Sequence, residues 1–275
     1  MDNKMKFLPS TATLALYLIL SLCFCSSAQA KTWDELIVQG EREYRARNLP
    51  QALTTFEAAL VEAQKEPVDK QKLTRTLNDL GVVEDELGQY DKAIKYQQRV
   101  LTLISDKPDS AAYATALNNL ANVFKDQHKY DQAEPLYKQV IGIYEKSTGL
   151  DSEFIAMANH NIASLYAEMG NNKDAATHFK LALQAAEKSL GPDNDHVIDT
   201  LSKLARIEDK LQNRDEAKVL FKRYLQHVQT LIGLKNDSPD RIQKLKEMVA
   251  DLKKEGQTGN AELIEKALSY DESSK

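Results

Sequence analysis

From Trp33 onward, apolar residues return at intervals of three and four, the spacing that lines one face of an α-helix. Leu117, Leu120, Ala121 and Phe124 make one such stripe, and Ala133, Leu136, Tyr137 and Val140 make the next. Short polar turns separate stripes of this kind, among them Leu87-Gly88-Gln89-Tyr90 and Met169-Gly170-Asn171-Asn172. Val, Ile and Thr nowhere alternate with polar residues in the sustained way that marks a strand. The pattern predicts an all-α chain built of helix–turn–helix pairs.

The pairs recur. Gln51-Ala52-Leu53 returns as Lys92-Ala93-Ile94, Gln132-Ala133-Glu134, Asp174-Ala175-Ala176 and Glu216-Ala217-Lys218, so the central alanines are 41, 40, 42 and 42 residues apart. Twelve residues before each alanine stands a small residue: Gly40, Gly81, Ala121, Ala163 or Ala205. Four residues after it stands Phe56, Gln97, Tyr137, Phe179 or Phe221, and seven after it Ala59, Val100, Val140, Ala182 or Tyr224. Small residues let two helices approach closely, and aromatics fill the gap to the next pair. One pair cannot bury its own apolar face, whereas five stacked pairs can.

These phased positions resemble the tetratricopeptide repeat family. The long period, the runs Thr76-Leu77-Asn78-Asp79-Leu80-Gly81 and Ala116-Leu117-Asn118-Asn119-Leu120-Ala121, and the connector Leu190-Gly191-Pro192-Asp193 are similar to the kinesin-light-chain type of repeat. The resemblance covers most of residues 33 to 235. It implies a right-handed α-solenoid, with the first helix of each pair facing a concave groove. The chain departs from the family where a first-helix aromatic, present as Phe124 and Tyr166, is replaced by Glu43, Glu84 and Glu208. Those three units are expected to pack less tightly.

The ends are read separately. Lys4 and Lys6, the apolar run from Ala12 to Cys25, and Ala28-Gln29-Ala30 form a signal peptide with cleavage after Ala30. That predicts a periplasmic or secreted protein with no membrane attachment after cleavage. Both cysteines, Cys23 and Cys25, would leave with it, so neither a disulfide nor a thiolate metal site is expected. Thr32 and Glu35 form a capping box for the first helix. The solenoid is expected over residues 31–236. Ser238-Pro239 starts a further helix, and Ala261 to Leu268 forms a last one. Together, over residues 237–268, they read as a degenerate sixth pair that caps the stack, followed by a disordered tail at 269–275.

Net charge is −5, or −6 once residues 1–30 are removed, with both signs interspersed. No basic stripe suggests a nucleic-acid partner. The five histidines, His128, His160, His178, His196 and His227, show no metal-ligand spacing and read as surface residues. Glu84-Asp85-Glu86 reads as a solvated helix face, and Trp33, Tyr137 and Phe221 read as core. Phosphate loops and nucleophile elbows are absent from the sequence. The expected function is therefore non-enzymatic protein binding with no cofactor, and a self-associating structural module stays open as the second reading.

Mapped through the resemblance, the groove runs from acidic through amide-rich to modestly basic. Asn78 stands in its acidic part, Asn118, Asn119, Asn122, His160 and Asn161 line its amide-rich part, and Lys203 and Arg206 lie beyond. An asparagine side chain both donates and accepts, so a row of them can hold the backbone of an extended peptide. Lys203 and Arg206 are expected to meet an acidic group on that peptide.

Overall fold

The computed structural model describes residues 31–147, 149, 152–231, 241–254, 256 and 258–272. The signal-peptide segment and the Ser238-Pro239 helix start therefore lie outside the described residues. Every regular element among the described residues is a helix. In chain order they are α1 (Trp33–Arg45), α2 (Leu49–Ala63), α3 (Lys70–Glu86), α4 (Tyr90–Leu103), α5 (Ala111–Asp126), α6 (Tyr130–Ser147), α7 (Glu153–Glu168), α8 (Asn172–Leu190), α9 (Asp195–Lys210), α10 (Arg214–Leu231), α11 (Arg241–Lys254) and α12 (Thr258–Glu272). Two compact units divide within α3, between Thr76 and Leu77.

In the first unit, α1 starts on the expected capping box. The Thr32 hydroxyl accepts from the Glu35 amide, and the Glu35 carboxylate accepts from the Thr32 amide at 2.8 Å. Ile37, Ala52, Phe56 and Ala59 are buried between α1 and α2. A Cβ on Gly40 would lie 2.5 Å from a Phe56 ring carbon, so only glycine permits this helix approach. Trp33 is only half-buried. Its indole N–H donates to Thr76 Oγ1 at 2.8 Å, and the Lys72 ammonium lies 4.8 Å from the ring centroid. Glu43 is held by Thr55 Oγ1 at 2.6 Å and Gln39 Nε2 at 2.7 Å.

In the second unit, α5 pairs with α6, α7 with α8, and α9 with α10. Each first helix also packs on the second helix before it: α5 on α4, α7 on α6 and α9 on α8. The repeat phase explains the core. Ala93, Ala133, Ala175 and Ala217 are fully buried, as are Val100, Val140, Ala182, Tyr137 and Phe221. Each large side chain so buried contributes about 1.5–3 kcal/mol. The turns within pairs need a left-handed residue, supplied by glycine at Gly88 and Gly170 but by His128 and Gln212 in the other two pairs.

The expectation of looser packing at the substituted aromatic position is corrected for Glu84 and Glu208. Both are fully buried. Glu84 meets Lys92 at 3.2 Å, while Glu208 meets Lys180 at 2.7 Å and accepts from Asn213 Nδ2 at 2.6 Å. Each carboxylate thus fills an aromatic's seat with a charge partner. The solvated reading of Glu84-Asp85-Glu86 fails for the same reason: only Glu86 is exposed.

The C-terminal helices pack in an unexpected order. α11 packs on α12, and it is α12 that packs on α10. Tyr270 stacks on Phe221 at a centroid distance of 5.3 Å. Hence α12 takes the place that the first helix of a next pair would hold. It also runs to Glu272, past the expected start of the tail at residue 269.

Candidate functional site

The candidate groove residues in the second unit sit on α3, α5, α7 and α9. Asn118 and Asn161 come together: Asn161 Nδ2 donates to Asn118 Oδ1 at 2.8 Å, joining α5 to α7. One amide N–H₂ and one amide oxygen of this pair have no partner among the described residues. Asn119, one position on, has no hydrogen-bond partner among the described residues either. This is the donor-and-acceptor arrangement that a peptide backbone requires.

Other candidates are already engaged. Asn122 Oδ1 accepts from the buried Tyr137 hydroxyl at 2.5 Å. Burial, followed by the nearby Asp126, Glu168 and Asp85 carboxylates, raises the Tyr137 phenol above its ordinary range. Asn78 accepts from Gln97 through its backbone carbonyl at 3.4 Å, and its side-chain oxygen is buried without a partner.

The basic end of the groove differs from expectation. Arg206 donates to the Gly259 carbonyl at the start of α12 at 2.8 Å. Lys203 lies 3.1 Å from Asp199 and 2.9 Å from His160 Nε2. Asp209, one turn beyond Arg206, is bound by Lys266 at 3.0 Å and by the Tyr270 hydroxyl at 2.5 Å. The two cations expected to meet an acidic partner are thus tied to this chain's own acceptors.

Carboxylates dominate the middle of the groove. Lys125 reaches Asp126 at 2.7 Å and Glu168 at 3.4 Å. Asp85 lies within the same field, and burial, then Asp126, pushes its carboxyl up to about 7. Even with Asp85 about half protonated near pH 7, one lysine set against Asp126 and Glu168 leaves this part of the face acidic.

Two histidines depart from the surface reading. His160 is largely buried, and its Nδ1 meets Thr200 Oγ1 at 2.8 Å. The Thr200 hydroxyl donates to the His196 carbonyl at 2.8 Å, so it accepts from His160 Nδ1–H. Nε2 is then left to accept from Lys203. Burial, then Lys203, lowers the imidazole to about 4 and keeps it neutral. His178 meets the buried Asn159 amide at 2.8 Å, and burial lowers it as well.

Met157, His196 and Thr200 were not among the sequence candidates, yet with His160 and Asn161 they line one cavity. Met157 falls at the second place of its repeat, a groove-facing place in the family, and that phase could have found it. Among the described residues, no group of three or more His, Cys, Asp or Glu could hold a metal ion. No helix among them is long and apolar enough to cross a membrane.

A sequence profile of the tetratricopeptide repeat matches residues 40–106, 73–146 and 154–229, more than half of the chain. No curated protein matches it. Among solved structures, BtubC (BKLC) from P. vanneervenii superposes with a TM-score of 0.63 at 19% identity, covering 83% of this chain and 92% of its own. Kinesin-light-chain TPR-like repeats from Podosopora anserina give 0.55 at 18% identity, covering 75% and 98%. A Rap protein complexed with competence and sporulation factor gives 0.63 at 12% identity, covering 95% and 80%. At these identities the likeness is one of fold.

Proposed function

The chain belongs to the tetratricopeptide repeat family, and from that premise we propose that it is a non-catalytic protein-binding module. An extended segment of a partner protein lies along α5, α7 and α9. The amide pair Asn118–Asn161 carries this reading: two groove asparagines lock each other in place and still leave one donor and one acceptor outward. Pre-positioned amides lose little conformational entropy when they bind a backbone. Asn119 supplies a further unengaged amide. A Rap protein of similar fold is complexed with competence and sporulation factor, which supports a chain of this fold taking a ligand.

The partner segment is neutral to basic where it passes Asp85, Asp126 and Glu168. An acidic segment is disfavoured there, because Lys125 already serves two carboxylates. We further propose, from the basic, apolar and Ala28-Gln29-Ala30 segments at the N-terminus, that the module works in the periplasm or outside the cell. N-terminal sequencing of the protein from its host tests this, since a start at Lys31 is expected.

Partner recovery from host extract tests the main reading. Asn118→Ala combined with Asn161→Ala should reduce recovery at least tenfold with the thermal midpoint unchanged. Full recovery by that double variant removes the amide grip. Asn122 is unsuited to the experiment, because alanine there strands the Tyr137 hydroxyl.

A further inference from the structure

A cavity of about 230 Å³ opens between α7, α8 and α9. Ala156 and Ala186 supply its small apolar walls, and Met157 and Leu190 its large ones; His160, Asn161, His196 and Thr200 complete it. Ala156 and Ala186 are buried, whereas Met157 is 47% exposed at the rim. Phe154, one turn before Met157, is also partly exposed and stacks on Tyr144 at 5.2 Å. The volume falls below the roughly 300 Å³ at which small-molecule sites begin. It has the volume of about eight waters at some 30 Å³ each, which is room for one side chain.

Most of the polar wall is already engaged. His160 uses Nδ1 on Thr200 and Nε2 on Lys203, and Thr200 uses its hydrogen on the His196 carbonyl. A carboxylate or ammonium entering here would lose water and find only the Asn161 amide oxygen and the exposed His196 ring unengaged, with no Asp, Glu, Lys or Arg in the lining to answer its charge. The Met157 thioether, by contrast, adapts to apolar shapes. Asn161 belongs both to the cavity wall and to the amide pair, so a backbone held there carries its neighbouring side chain to the cavity mouth.

We propose that this cavity is an anchor pocket that takes one neutral aliphatic or thioether side chain, of leucine or methionine size, from the bound segment. It rests on the peptide-binding reading and adds the residue class that the groove selects.

The probes are the N-acetyl N-methylamides of Leu, Met, Gly, Asp and Lys, added to the full chain and followed through the methyl signals of Met157, Ala156 and Ala186. The Leu and Met probes should shift these signals saturably, at least fivefold more than the other three at equal concentration. Ala186→Leu, which fills the cavity, should abolish the response. Met157→Gln, at the exposed rim and harmless to folding, should cut it at least threefold. Equal shifts with Leu and Gly, or a full response in Met157→Gln, overturn the proposal.

Selection from a random-peptide display library separates the two readings. Peptides that need Asn118 and Asn161 but carry no shared aliphatic residue overturn the anchor pocket and leave the function standing. If no peptide is selected while the Leu probe still responds, the function reading fails and the pocket's selectivity survives.

Discussion

Lys180 Nζ lies 2.7 Å from Oε1 of Glu208, a side chain with no exposed surface. The lysine belongs to α8 and the glutamate to α9, so the contact joins two consecutive repeats. Lys180 also reaches Glu216 at 2.9 Å. A buried charge that loses its partner costs about 3–5 kcal/mol, whereas an apolar replacement of both partners is often neutral. Lys180 is about half exposed and can be rehydrated, but Glu208 cannot. Lys180→Met should therefore destabilise by about 3 kcal/mol. Adding Glu208→Leu should return the protein to within about 1 kcal/mol of the parent. Urea unfolding of the parent and the two variants measures this, and equal losses in the single and double variants would contradict the pairing.

Two perturbed groups should give opposite pH dependences. His160 is lowered from 6.5 to about 4, so between those values the unfolded chain binds more protons. Its contribution is whole above pH 6.5 and is lost as pH falls toward 4. Asp85 is raised from 3.8 to about 7, so there the folded chain binds more protons. Its effect is to lower stability as pH rises from 4 to 7. Burial lowers His178 too, and its slope adds to that of His160, so each variant is read against the parent. Relative to the parent, the change in urea midpoint from pH 4.5 to 7 should be more negative in His160→Gln and more positive in Asp85→Asn. The same sign in both variants would exclude this account.

The two glycines facing the next helix should respond differently to alanine. At Gly40 the added methyl meets three carbons of the rigid Phe56 ring at 2.5 to 2.8 Å, with no flexible end to turn aside. Gly40→Ala should cost about 1–3 kcal/mol by overpacking. At Gly81 the nearest atom is the Gln97 amide nitrogen, the end of a flexible side chain whose hydrogen bond is long, at 3.4 Å. Alanine also gains about 1 kcal/mol in a helix interior. Gly81→Ala should thus be near neutral. Thermal unfolding of each variant reads the difference directly.

The repeat was legible because every pair restates the same demand: a small residue where helices cross and a large one where they part. Ala133 and Tyr137 express it in one stretch of sequence. Glu208 hid its role because its partner belongs to the repeat before, and nothing local to Glu208 names Lys180. His160 was read as a surface histidine because its burial depends on Thr200 and Lys203 of the following repeat. The groove asparagines were legible by phase, but phase does not say which are engaged. Tyr137 occupies Asn122, whereas Asn161 finds Asn118. At the C-terminus, chain order made Ala261 to Leu268 the second helix of a sixth pair. The Tyr270–Phe221 stack and the Arg206–Gly259 bond instead hold α12 in the seat of a first helix.

The central claim is that a partner binds along the first helices of the third to fifth pairs. A photo-crosslinking amino acid at Asn119, compared with one at Val219 on the exposed side of α10, tests it most directly in the native host. A partner adduct is predicted from position 119, absent from position 219, and lost when Asn118→Ala and Asn161→Ala are added. Adducts from position 219 alone, or adducts at 119 that survive those two substitutions, would contradict the account.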